Sequence, residues 1–186
     1  PTSPNKEAIH AGLQSLMVMT FEAGASIALT LNNSTLSAHY LQMAKRLKKH
    51  IPDPNENKSA AALMALAQLK QPELINRELL APDANQGVST FYGYYVLQAR
   101  AMAGDYQGAI DVIRDYWGAM LDLGATTFWE DFNLDWAKNA GRIDELLPPG
   151  KIDLHADYGD YCYVGLRHSL CHGWASGPTA WLSEHV

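Results

Sequence analysis

Residues 89–123 read STFYGYYVLQARAMAGDYQGAIDVIRDYWGAMLDL, and the contrast between their two halves sets the fold. Ser89 is a natural N-cap for the very apolar run Phe91-Tyr92-Gly93-Tyr94-Tyr95-Val96-Leu97, a helix that continues to Ala103. Gly104-Asp105 then supplies a turn and a second cap. The helix over 106–123 places Ile110, Ile113, Trp117 and Leu121 inward, with Asp111, Arg114 and Asp115 outward. An apolar helix joined by a tight turn to an amphipathic one is an αα-hairpin.

Working outward, the same alternation recurs upstream. Residues 8–31 are apolar almost all round (Leu13, Leu16, Met17, Val18, Met19, Phe21, Ile27, Leu29), which predicts burial on most faces. Glu22 is the only charge there, and a buried carboxylate must be paired or functional. Asn33 and Ser34 break and re-cap the chain before an amphipathic helix with Leu36, Tyr40, Ala44, Leu47 and Ile51 on one stripe, ended by Pro52 and Pro54. Residues 59–69 read as an inward Ala- and Leu-rich helix, and Pro72 opens a short one over 73–80.

Stacked hairpins of this kind make either an open solenoid or a closed α/α toroid. No fixed repeat period is visible, which favours the toroid. The expected fold is therefore all-α, with helical hairpins over 1–123. An irregular stretch rich in aromatic and acidic residues covers 124–168, and a final helix starts at Ser169 or Gly177 within 169–186. A short β-hairpin around 151–163 stays open as an alternative. Long irregular stretches inside a helical domain are usually functional.

Composition narrows the function classes. At 186 residues with 47% hydrophobic content, one sizeable core is expected and a second domain is not needed. A net charge of -6 argues against nucleic acid, and the basic run Lys45-Arg46-Leu47-Lys48-Lys49 reads as a solvated helix face. No run is expected to reach membrane-span length, the nearest being 13–31. Cys162 and Cys171 fit two reduced, half-buried thiols better than a disulfide framework or a zinc pair, and the compartment stays open. The opening Pro1-Thr2-Ser3-Pro4 and the uncapped helical pattern at 181–186 lead to the expectation of a piece of a larger protein.

The densest candidate site is Thr126-Thr127-Phe128-Trp129-Glu130-Asp131-Phe132. A carboxylate among aromatic side chains suits sugar chemistry, because partial burial tunes the acid and aromatic faces stack on a pyranose. The same residues also read as core aromatics beside a helix-start carboxylate. A second candidate is His168-Ser169-Leu170-Cys171-His172-Gly173-Trp174, where glycine leaves room for a ligand beside Trp174. Asp153, His155, Asp157, Tyr158, Asp160 and Tyr161 could rim a sugar or calcium site, although their spacing matches no EF-hand and a solvated loop is the default. No histidine spacing supports a metal.

The blocks GATTFWEDFN (124–133) and HSLCHGWASGPTAWLSEHV (168–186) resemble the C-terminal half of the catalytic domain of α-L-rhamnosidases, glycoside hydrolase family 78. NKEAIHAGLQSLMVMTFEAGA (5–25) and residues 87–121 are similar to toroid helices of that family. The resemblance implies an (α/α)6 toroid, about half of it present here, and inverting hydrolysis of terminal α-L-rhamnosides without a cofactor. Glu130 of the T-T-x-W-E pattern would be the general base, and His172 of the S-L-x-H pattern would line the sugar site. Trp129 and Trp174 would be its aromatic walls, and Tyr158 and Tyr161 would add substrate contacts. The family's general acid belongs to an upstream Arg- and Gly-rich acidic motif that residues 1–186 lack, so the chain alone is expected to be inactive. Apolar edges left by a half toroid would favour a homodimer.

Overall fold

The computed structural model describes residues 5–157 and 167–186 of the protein. It is all-α, with no β-strand among the described residues. The chain divides into two compact units, one ending at Pro82 and the other spanning Asp83–Val186. Each has its own hydrophobic cluster, where the sequence had suggested a single core.

The first unit holds α1 (Lys6–Thr30), α2 (Ser34–Leu47), α3 (Lys58–Leu66) and α4 (Pro72–Ile75), which runs on into a π-turn at Asn76–Leu80. Asparagines start three of these helices. The Asn5, Asn33 and Asn57 side chains accept hydrogen bonds from the Ala8, Leu36 and Ala60 amides at 3.1, 3.0 and 2.9 Å. α1 packs on α2 and α3 through a stripe of small residues, Ala8, Ala11, Ser15, Val18, Ala25 and Ala28. The buried Gln14 amide donates to the Leu47 and His50 carbonyls, closing the last turn of α2.

The expectation that α1 is buried on most faces is corrected. Its large side chains Ile9, Leu13, Met17, Ile27 and Leu29 are exposed, Leu13 by 58%. Alanine and serine, not leucine, face α2 and α3, because small side chains let helix axes approach closely. Glu22 is also not buried; it pairs with Lys48 of α2 at 2.6 Å on the surface. Of the predicted α2 stripe, Leu36 is exposed and Ile51 is exposed beyond the helix end, while Ser37 and Ala44 are buried. By length and composition α1 could cross a membrane, contrary to the expectation that no run would reach that length. A core helix passes the same test, and the small-residue stripe seats α1 against its neighbours.

The second unit opens with α5 (Gly93–Met102), α6 (Tyr106–Val112), a π-turn at Ile113–Trp117 and α7 (Gly118–Asp122). Between α5 and α6, Gly104 takes φ +77° and the Asp105 carboxylate caps the Gly108 amide. Asp105 also pairs with the buried Arg100 at 2.7 Å, and a Cβ on Gly108 would meet that guanidinium. Ala109, Val112, Tyr116, Trp117, Met120 and Leu123 are buried in the core and the predicted Ile110 and Ile113 pack against it, whereas Leu121, beyond the π-turn, is 67% exposed. Short helix α8 (Leu134–Ala137) follows, and α9 (Gly177–His185) closes the unit against α5. An isolated bridge between Ala140 and Ile152 is the only β pairing among the described residues, so no hairpin forms in the part of 151–163 that is described.

Candidate functional site

Gly124, at φ +90°, ends α7 and turns the chain into an extended run. The positive φ favours glycine, and a Cβ there would also sit 2.3 Å from the Asp144 carboxylate, which would have to move. The extended run meets a second irregular segment. The Glu130 amide donates to the Ser169 carbonyl at 2.9 Å, and the His172 amide donates to the Phe128 carbonyl at 2.7 Å. The Thr127 hydroxyl adds a bond to the Leu170 carbonyl. The two motif blocks are thus laced together by backbone hydrogen bonds, although neither is a strand.

Glu130 sits at the centre of that lacing. Its carboxylate accepts from the Ser169 amide at 3.1 Å and lies 3.8 Å from His172 Nδ1, with 15% of the side chain exposed. The 3.8 Å spacing is too long for a direct hydrogen bond and suits a bridging water or ligand hydroxyl. The peptide linking Glu130 to Asp131 is gripped at both ends. Its carbonyl accepts from the Thr90 hydroxyl at 2.5 Å and the Trp174 indole at 3.3 Å. Its N–H donates to Nε2 of the fully buried His168 at 3.1 Å, which makes Nε2 the unprotonated nitrogen of that ring. Tyr116 anchors the next residue, donating from its hydroxyl to the Phe132 carbonyl at 2.5 Å. Burial pushes the Tyr116 phenol well above its ordinary value, and the negative charge of Asp131 pushes the same way.

Trp174, 51% exposed, leans over His172 with ring centroids 4.4 Å apart. Together with Ser89, Thr90, Phe91 and Tyr92 it encloses, around Glu130 and Asp131, a hollow of about 380 Å³. A carboxylate and exposed aromatic faces at one hollow, with an imidazole beside the carboxylate but outside the lining, can hold a polar ring and activate a water beside it.

Three of the residues singled out in the sequence, Glu130, His172 and Trp174, come together here. Trp129 does not join them as a wall. Its ring is fully buried in the core and meets Phe132 edge to face at 5.5 Å, so it supports Glu130 from behind. The chain bends at Glu130, and Trp129 and Phe132 both fill the core while the Glu130 side chain stays 15% exposed. Tyr158 and Tyr161 lie outside the described residues, as does Cys162. Cys171 is free and exposed, not half-buried. Asp153 and Asp157 cap their own turn, with Asp153 accepting from the His155 and Ala156 amides and Asp157 from the Asp153 amide. Among the described residues no cluster of His, Cys, Asp and Glu could hold a metal ion.

The sequence reading missed Thr90, Phe91 and Tyr92, while His168, part of the second candidate stretch, proves to be a buried support for the Glu130–Asp131 peptide. The first three were absorbed into an apolar helix that in fact begins at Gly93, leaving Phe91 and Tyr92 exposed in the preceding turn. Their signal was four bulky residues around one glycine, too many for one helix face to bury. A scan against protein-family models and a search of curated proteins return no match for this chain.

Proposed function

We propose that this chain carries the water-activating half of an inverting glycosidase of the α-L-rhamnosidase type, with Glu130 as general base. The observation that carries the reading is the placement of Glu130, a mostly buried carboxylate oriented by the Ser169 amide, beside His172, in a hollow walled by Trp174. In an inverting reaction the base takes a proton from the water that attacks the anomeric carbon. The acid stands across the sugar, roughly 6.5–9.5 Å from the base. On this reading the acid would belong to an upstream motif that residues 1–186 lack, and the hairpins of this chain would form about half of an α/α toroid. The partner is then a rhamnose-containing carbohydrate, and the chemistry needs no cofactor.

The test is titration of the full chain with L-rhamnose, followed through the Trp174 indole resonance, with a uronic acid as the comparison. Saturable rhamnose binding that Glu130→Gln weakens, without turnover of an aryl rhamnoside, is the expected result. Preference for the uronic acid would move the reading to a polysaccharide lyase. Turnover that Glu130→Gln abolishes would show that the acid is also in this chain. A second reading, a helical module that binds a partner protein or a second copy, is favoured by the exposed apolar face of α1. A monomer with intact helicity in sedimentation would retire the homodimer.

A further inference from the structure

The rod formed by α6, the π-turn at Ile113–Trp117 and α7 borders a hollow of about 420 Å³ that shares no lining residue with the one around Glu130. Ile113, Trp117, Met120 and Leu121 line it from the rod, Phe128 from the extended run and Leu182 from α9. The volume lies within the range of small-molecule sites, roughly 300–1,000 Å³. Between Arg114 and Leu121, which both line it, the rod rises about 10 Å. The hollow is therefore a groove with the length of a short alkyl chain.

Two features keep the groove open. Gly118 lines it, and a Cβ there would meet nothing within 4 Å, so no crowding explains the missing side chain. Glycine inside a helix is destabilising relative to alanine, yet a long side chain at this position would occupy the groove. The π-turn supplies three of the lining residues, Ile113, Arg114 and Trp117, and single π-turns inside helices concentrate at functional sites. Leu121 and Leu182 stay 67% and 38% exposed, apolar surface that a guest would cover.

The charges at the groove narrow the class of guest. Among the described residues that line it, Arg114 alone is charged, and it pairs with Asp111 at 2.7 Å. Asp111 also accepts from Gln107 at 2.9 Å, and Asp115, the next carboxylate along the rod, accepts from Asn85 at 2.8 Å. A charged guest of either sign would meet a like charge here and would have to break an existing pair. A neutral chain only gives up apolar surface, and the exposed Thr126 and Thr179 in the lining suit a neutral hydroxyl. A folded partner needs about 1,000 Å² or more of buried surface, more than a groove of this length offers. The groove also reaches the support of Glu130. Thr127 and Phe128 line it, and they bond the Leu170 carbonyl and the His172 amide in turn. A guest packed on them holds the laced segments together.

We propose that this groove binds a neutral amphipathic molecule with an unbranched alkyl chain, at a site separate from the hollow around Glu130 and independent of the chemistry proposed there. Nuclear magnetic resonance titration of the full chain with butanol, hexanol and octanol tests it, with octanoate and octylammonium as charged counterparts. Affinity should rise about fourfold for each added methylene. Overhauser contacts should join the octanol methylenes to Trp117, Phe128 and Leu182, and the Glu130 and His172 amides should exchange with solvent more slowly when octanol is bound. Gly118→Leu should remove the dependence on chain length by occupying the groove. Leu121→Gln, at an exposed position that tolerates change, should weaken octanol binding if Gly118→Leu folds poorly. Binding that ignores chain length, Overhauser contacts only with the exposed face of α1, or amide exchange that octanol leaves unchanged overturns the site. Tighter binding of octanoate or octylammonium than of octanol overturns the neutral class of guest. A dimer in sedimentation that octanol dissociates gives the groove to a second copy and overturns the proposal as well.

Discussion

In the unit that ends at Pro82 most of the buried hydrophobic residues are alanine, among them Ala8, Ala11, Ala60, Ala61, Ala62, Ala65 and Ala67. The unit from Asp83 onward buries Tyr116, Trp117, Trp129, Phe132 and Trp181 instead. An alanine core brings helices close but hides little area per residue, so the leucines and isoleucines of α1 have no interior to enter. An aromatic core hides roughly 150–250 Å² per ring and can fill the space between segments of irregular shape. That is what holds 125–133 and 167–176 in place around Glu130. Regular helices need only a stripe of small residues; an irregular site needs large rings behind it.

The comparison can be broken most forcefully at Trp129. Trp129→Ala should cost about 3–5 kcal/mol, because the neighbouring rings cannot close the space it leaves. Denaturant unfolding followed by near-ultraviolet circular dichroism measures this, and a loss below about 1 kcal/mol would mean that the rings are not the support claimed for them. Overfilling probes both cores with one kind of change. Ala62→Leu between the helices of the first unit, and Gly93→Ala, whose new methyl would lie 2.5 Å from the Trp117 ring, should each cost about 1–3 kcal/mol. Similar losses from the two would show that both cores are equally tight despite their different composition.

Tyr116→Phe should cost about 0.5–1.5 kcal/mol through loss of the bond to the Phe132 carbonyl. It also carries a pH signature. The folded phenol titrates above the ordinary value of 10.0, so the folded state holds its proton longer than the unfolded chain. The stability advantage of the natural chain over Tyr116→Phe should therefore be constant below pH 10.0 and shrink as pH rises above it. An advantage that grows with alkalinity would reverse the assignment. The smallest effect is expected on α1. Leu13→Gln should change stability by no more than about 0.5 kcal/mol, as for an exposed site, and a larger loss would mean that something covers this face.

How much was legible varies by residue type. The Asn33 cap, the Gly104-Asp105 turn, the Pro72 helix start and a final helix, expected from Ser169 or Gly177, could be read directly, because each acts through its own backbone within a few residues. Burial on the long helices was read less well. Hydrophobicity alone put Leu13 and Leu121 inward, whereas close helix approach and a π-turn decided which face was covered. At the site, Glu130, His172 and Trp174 stood out as polar and aromatic residues in a glycine-punctuated stretch. Trp129 stood out for the same reason and proved to be core, since no composition rule tells which side of an extended segment faces a hollow.

By itself, the sequence determined the helical class, several of the helix starts and turns, and the two blocks that carry the candidate chemistry. These follow from local hydrogen bonding and periodicity, which act over a handful of residues. Only the tertiary structure decided the division at Pro82, the meeting of 128–130 with 169–172, and the grip of Thr90, Trp174 and His168 on the Glu130–Asp131 peptide. Those contacts join residues about forty positions apart, and which of them form depends on how the aromatic core fills.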